Sequence, residues 1–104
     1  EYPILLCPFM LQPFFAPNWD AEGAEGVIDA LGTALWSYSV NFVGLPAGCV
    51  PTHIAALPQG AQPINVQLIG QRWREDLLVD AMIAIEARLG RPFETLWKQP
   101  IASD

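Results

Sequence analysis

The chain has 104 residues, room for one domain and not two, and only 15% of them are charged against roughly 25% in an ordinary globular domain. With 52% apolar residues and a mean hydropathy of +0.27, it is short of the charge that a small free-standing unit uses to solvate its surface. Cover by a further part of the same protein, or by a tight oligomer, is therefore expected. A net charge of −6 and a pI near 4.4 argue against a nucleic-acid surface, which needs clustered Lys and Arg.

No charge falls between Glu1 and Asp20 or between Asp29 and Arg72. Runs of this length raise the question of a membrane span, which needs about 20 unbroken apolar residues. Pro3, Pro8, Pro13 and Pro17 interrupt the first, and Pro46, Pro51, Pro58 and Pro63 the second, at intervals that no spanning helix tolerates. Strands packed on both faces account for the runs better. No basic segment followed by an apolar stretch opens the chain, so no signal peptide is expected. Cys7 and Cys49 set no disulfide framework, and a reduced, cytoplasmic setting is the default, with a single bridge between them left open.

In chain order, Ile4–Cys7 between Pro3 and Pro8 reads as a strand. Met10–Asp20, rich in Pro and aromatics, reads as a loop, with Asp20 or Glu22 as candidate openers of the next helix. From Val27 to Phe42, Ile28, Leu31, Leu35 and Tyr38 recur at helical spacing, and Gly44-Leu45-Pro46 stops that helix. Ala47–Thr52 reads as a strand, residues 54–63 as a Pro/Gly/Gln connection, and Ile64–Ile69 as a further strand closed by Gly70. Two such strands pair most simply as an antiparallel hairpin with a long loop.

Glu75–Leu89 is an amphipathic helix. Leu78, Met82, Ile85 and Leu89 form its apolar stripe, and Asp76, Asp80 and Arg88 lie off it. Glu75 and Asp76 suit its first turn, Arg88 and Arg91 its end, and Gly90 is placed as a left-handed terminator ahead of Pro92. The order strand, helix, strand, strand, helix makes an α/β slice of a layered fold, not a closed one.

Candidates for chemistry are few. His53 is the only histidine; on an extended strand it would sit roughly 13 Å from Cys49, beyond the ~3 Å that a thiol and its base require. Ser37 and Ser39 fall inside a helix, and no G-x-S-x-G elbow exists. Neither a zinc spacing nor a phosphate loop is present, so no metal and no cofactor are expected. Asp76 and Asp80, at i and i+4, read as a solvated helix face.

The segment Asn41-Phe42-Val43-Gly44-Leu45-Pro46-Ala47-Gly48-Cys49-Val50-Pro51 resembles the N-x-x-G-x-P-A-x-x-x-P stretch of the amidase signature family. Pro63-Ile64-Asn65-Val66-Gln67-Leu68-Ile69-Gly70 is similar to that family's P-x-G-x-Q-x-x-G strand. Arg74-Glu75-Asp76-Leu77-Leu78, with the helix to Glu86, is similar to its closing helix, and Leu5-Leu6-Cys7-Pro8 to its L-L-T-P strand. The order and spacing of these pieces extend over nearly the whole chain.

The resemblance implies that residues 1–104 form a single C-terminal segment of a mixed-sheet amidase-signature fold. The enzyme it implies cleaves the C–N bond of a small carboxamide through a Ser–cisSer–Lys triad. That triad belongs to a Gly/Ser-rich stretch that this sequence lacks. Its only lysine, Lys98, matches nothing catalytic, so no catalytic residue is carried over and the chain alone is expected to be inactive. By position, the resemblance places Phe9, Met10, Trp36, Ser37 and Val40 on a wall of the substrate pocket; each is also at home as an ordinary core residue. Association with the N-terminal remainder of the enzyme, or self-association, would cover the apolar strands. Three departures stand out: His53 and Asn65 where the family commonly has Gly, and Ala34 where the family's amidotransferases tend to carry an acidic residue. The last favours a plain amidase with an apolar or aromatic substrate. The alternative is a shortened, non-catalytic relative acting as a binding or assembly module.

Overall fold

A computed structural model describes residues 2–12, 17–21, 23–58 and 60–98. Strand β1 (Ile4–Pro8) is followed by helices α1 (Ala24–Thr33) and α2 (Leu35–Val43), the hairpin strands β2 (Ala47–Leu57) and β3 (Gly60–Gly70), and helix α3 (Glu75–Leu89). Short 3₁₀ helices lie at Trp19–Ala21 and Pro92–Lys98. The sheet order is β1-β3-β2, antiparallel throughout. The α/β expectation holds, and no helix among the described residues is long and apolar enough to cross a membrane.

Adjacent residues of a strand face opposite sides of the sheet. On one side Val50 and Leu68 pack against Leu78 of α3, with Ile4, Val66, Ala81, Met82 and Ile85 around them. Two glycines let α3 approach closely. A Cβ at Gly48 would fall 2.5 Å from Met82 Sδ, and one at Gly70 would meet Leu78 Cβ at 3.5 Å. On the other side Gln67 faces α2, whose Val40 is buried.

Helix α3 has the predicted bounds, with Asp76 and Asp80 exposed. Leu78 is buried and Met82 and Ile85 partly so, but Leu89 is 53% exposed, because the stripe outlasts the sheet it packs on. Gly90 has φ 75° and ψ −160°. It is not the left-handed terminator expected, although that region is also open essentially to glycine alone. The left-handed stop is instead Gly44 (φ 65°, ψ 41°), whose N–H donates to the Val40 and Asn41 carbonyls.

Three expectations need correction. The single helix over Val27–Phe42 is two helices broken at Ala34 (φ −93°, ψ 12°). The chain after β1 docks on the break: Leu11 N–H donates to the Thr33 carbonyl at 3.0 Å, and Ser37 Oγ to the Phe9 carbonyl at 2.6 Å. Ile28, Leu31 and Leu35, its supposed inner stripe, are exposed. Asp20 sits in the Trp19–Ala21 turn and Gly23 is the N-cap of α1; Glu22, and residues 13–16 of the expected loop, lie outside the described residues.

The long hairpin loop is the second correction. Pairing continues past a bulge at Pro51/His53 out to Leu57↔Gly60, so most of residues 54–63 is strand. Once the inner rungs are paired, each further rung satisfies backbone groups at small local cost, and this context overrides the weak strand propensity of Ala, Gln and Gly. Third, strands covered on both faces were expected, yet Leu5 and Leu6 of β1 are 54% and 63% exposed.

The packing predicts a contrast along α3. Leu78→Ala should cost about 2–5 kcal/mol, whereas Ile83→Ala, on the exposed side, should stay within about 0.5 kcal/mol of the parent. Urea denaturation of the two variants measures both.

Candidate functional site

The segment leaving β1 forms one wall of a trough whose other wall is the outer half of the hairpin. Phe9, Met10, Leu11 and Gln12 face His53, Ala55, Leu57, Pro63, Ile64 and Asn65 across an open volume of about 640 Å³. That size and mainly apolar lining, with a few polar groups, fit a small-molecule site. Asn65 Oδ1 is buried without a hydrogen-bond partner among the described residues, and a buried acceptor of this kind favours a partner that brings a donor.

Of the five residues singled out in the sequence, Phe9 and Met10 line this trough, and Trp36, Ser37 and Val40 do not. Helix α2 is nonetheless tied to the trough's wall. Ser37 holds the Phe9 carbonyl, and Gln67 Nε2 donates to the Trp36 carbonyl at 3.3 Å and contacts Cys7 Sγ at 3.7 Å. Gln67 is 3% exposed. It is the polar centre that holds β1, β3 and α2 together. Val40 is buried beside this arrangement.

Of the trough residues of the hairpin, His53 and Asn65 stand out in the sequence, whereas Ala55, Leu57, Pro63 and Ile64 do not, and neither does Gln67. The signal for Gln67 was a lone amide within the apolar run Val66–Ile69. Ala55 and Leu57 were hidden because residues 54–63 were read as a connection. At the opposite end of α2, the Arg72 guanidinium donates to the Val43 and Gly44 carbonyls, capping groups that the helix end leaves unpaired.

Cys7 and Cys49 both stand opposite Gln67, on either side of it. Two strand spacings, about 9–10 Å, separate them, which exceeds the ~7 Å reach of a disulfide; both are free thiols. Burial pushes both above the ordinary thiol range; the Gln67 amide partly offsets this at Cys7, and charge on Cys7 adds to it at Cys49. Cys49 does not meet His53: the bulge lies between them, and His53 Nδ1 lies 3.4 Å from Thr52 Oγ1. Among the described residues no three His, Cys, Asp or Glu side chains are grouped to hold a metal.

The chain resembles indoleacetamide hydrolases. It is 37% identical over 99 residues to that enzyme of Bradyrhizobium japonicum, and 40% over 99 residues to that of Bradyrhizobium diazoefficiens. Each match takes in 94% of this chain but only 20% and 18% of the relative's length, respectively. A mitochondrial glutamyl-tRNA(Gln) amidotransferase polypeptide of Podospora anserina is 33% identical over 85 residues, 82% of this chain and 16% of that protein. The chain thus spans about a fifth or less of the length of the curated relatives it matches. No family model and no solved structure matches.

Two outcomes follow from the polar centre. Gln67→Ala should lower stability by roughly 1–3 kcal/mol through lost buried hydrogen bonding, and Ser37→Ala by about 0.5–1.5 kcal/mol; chemical denaturation reads both. The raised thiols mean that the folded state binds more protons than the unfolded state through the thiol range. Stability should therefore be full below about pH 8.5 and fall as pH rises above it. Cys7→Ser/Cys49→Ser should flatten that alkaline slope in a urea titration across pH 7.5–10.

Proposed function

We propose that this chain is the C-terminal portion of an amidase-signature hydrolase that cleaves the C–N bond of a small aromatic carboxamide. The observation that carries this reading is the match to two indoleacetamide hydrolases along 94% of the chain, in agreement with the order of the family's sequence pieces from Leu5 to Glu86. The identity and coverage are higher for the hydrolases than for the amidotransferase. Ala34, in place of an acidic residue, points the same way.

In this reading the Ser–cisSer–Lys triad is supplied outside these residues. A serine hydroxyl needs a base, and lysine can act as one where desolvation depresses its pKa. Backbone donors facing the developing oxyanion contribute a few kcal/mol each. The role of the present residues is to wall the substrate pocket and keep it dry. Phe9 and Met10 do so at the trough, while Trp36, Ser37 and Val40 hold the wall from α2. The apolar lining suits an aromatic ring, in keeping with the indole named for the relatives.

The test is ammonia release from indoleacetamide by the longer polypeptide that carries these residues, alongside the isolated 104-residue chain. The longer protein should turn the amide over and the isolated chain should not. Turnover by the isolated chain, lost on replacing one of its own residues, would place the catalytic machinery here and sink the reading. A longer protein that binds the amide without hydrolysing it would favour the non-catalytic binding module.

A further inference from the structure

Two polar side chains of the trough, Asn65 and His53, offer it acceptors. Asn65 Oδ1 is buried without a hydrogen-bond partner among the described residues, and its place in the sheet explains why. Asn65 stands opposite Pro51 on β2, and on its other side β1 has just ended at the Pro8↔Val66 pair, with Phe9 next in the chain. Neither a proline nor a phenylalanine side chain has a donor. Gln67, two residues along on the same face, gives its amide hydrogens to the Trp36 carbonyl and Cys7 Sγ, and the Ser37 hydroxyl donates to the Phe9 carbonyl. At His53 the neighbouring hydroxyl fixes the ring. Thr52 Oγ1 donates its one hydrogen to the Ile64 carbonyl at 3.1 Å, so toward His53 Nδ1, 3.4 Å away, it can only accept. The neutral ring therefore carries its hydrogen on Nδ1 and leaves Nε2 as an acceptor. Gln12, the remaining polar side chain of the lining, is exposed.

We infer that Asn65 selects among substrates by accepting a hydrogen bond from an N–H on the aromatic ring of the amide. The inference rests on the reading of this chain as part of a hydrolase of aromatic carboxamides, and it names the end of the substrate that the trough receives. The carboxamide carbon has to meet the nucleophile, and among the described residues none that lines the trough is a serine, cysteine or lysine. The reacting end therefore lies outside the trough, and the apolar lining takes the ring. With no bond to hold its oxygen, the Asn65 amide can turn about χ2, a broad torsion, to face a donor on that ring. A ring of the same shape without the N–H excludes water from the trough and leaves Oδ1 unpaired. Leaving a buried polar group unpaired is how a hydrogen-bonding site rejects an analogue that lacks the donor.

The experiment uses the longer polypeptide that carries these residues, with indoleacetamide and its benzofuran counterpart, in which oxygen replaces the ring N–H at nearly the same size. In the parent protein kcat/KM for the indole amide should be higher by about tenfold or more, and in Asn65→Leu and Asn65→Gly the two amides should agree within about threefold. Equal kcat/KM for the two amides in the parent overturns the inference without recourse to any variant. A preference that survives both substitutions also overturns it, because another residue then reads the ring. Failure of the hydrolase reading looks different, since neither amide is then turned over. Calorimetric binding of the same two compounds decides in that case. Tighter binding of the indole compound, lost in Asn65→Leu, upholds the role of Asn65 and sinks the hydrolase; equal binding, or none, overturns the role as well. Hydrolysis of both amides at equal rates upholds the hydrolase and sinks the role of Asn65.

Discussion

Because β3 pairs with β1 along one edge and with β2 along the other, and meets α3 on one face and α2 on the other, the remaining elements are positioned through it. Its run Gln67–Gly70 is buried throughout, and each of these four residues has a distinct task. Leu68 anchors the apolar core under α3, and Gly70 leaves room for Leu78. Gln67 sends its amide to the opposite face, where it reaches the backbone of α2 and the thiol of β1. Ile69 is buried on the same face as Gln67. The apolar core lies on the α3 face alone, and the second face is organised by a buried amide. Such an amide is stable only if its hydrogen bonds are made, and those bonds fix where α2 lies.

That constraint passes on to the trough. The Gln67–Trp36 bond sets the start of α2, Ser37 then holds the Phe9 carbonyl, and Leu11 closes on Thr33. The chain leaving β1 is therefore held against a helix end by two polar contacts, with Phe9 and Met10 presented toward the hairpin. The trough is apolar because its two walls are a strand exit and the outer rungs of a hairpin, neither of which carries charge. Two of its polar side chains, His53 and Asn65, occupy positions where the resembled family commonly has glycine. Whatever the trough receives in this protein meets side chains that a glycine-bearing relative would not offer.

How much of this was legible in the sequence varied with the range of the interactions involved. Helix α3 could be read to its last residue because its stripe, acidic first turn and terminating Gly90 are local signals. The inner rungs of the hairpin were legible for the same reason, as apolar runs ending at Gly70. The break at Ala34 was not, since it depends on Leu11 and Ser37 finding partners more than twenty residues away, and helical spacing runs straight through it. Nor was the outer hairpin, where Ala55, Ala56 and Gln62 have little strand preference and pair because their neighbours already do. The site followed the same rule: Phe9 and Met10 were found by position after a strand, whereas Gln67 required knowing which face of β3 it occupied.

The exposed apolar residues share a physical cause. The molecule measures 48 × 38 × 16 Å, and 16 Å is less than the thickness of a sheet with a full helix layer on each face, given packing distances near 10 Å per layer. Helix α1 contributes only Thr33 to the interior while Ile28 and Leu31 remain in solvent, and Phe42, Trp73 and Trp97 are almost wholly exposed. Trp73 is held there at φ 64°, a conformation that costs a bulky residue energy unless its surroundings compensate. Scattered apolar residues on a surface need no explanation. Here, however, they recur on α1, on both faces of β1 and around the α2 terminus, in a chain with few charges to offset them. A plate too thin to have two complete helix layers leaves these side chains without cover among the described residues.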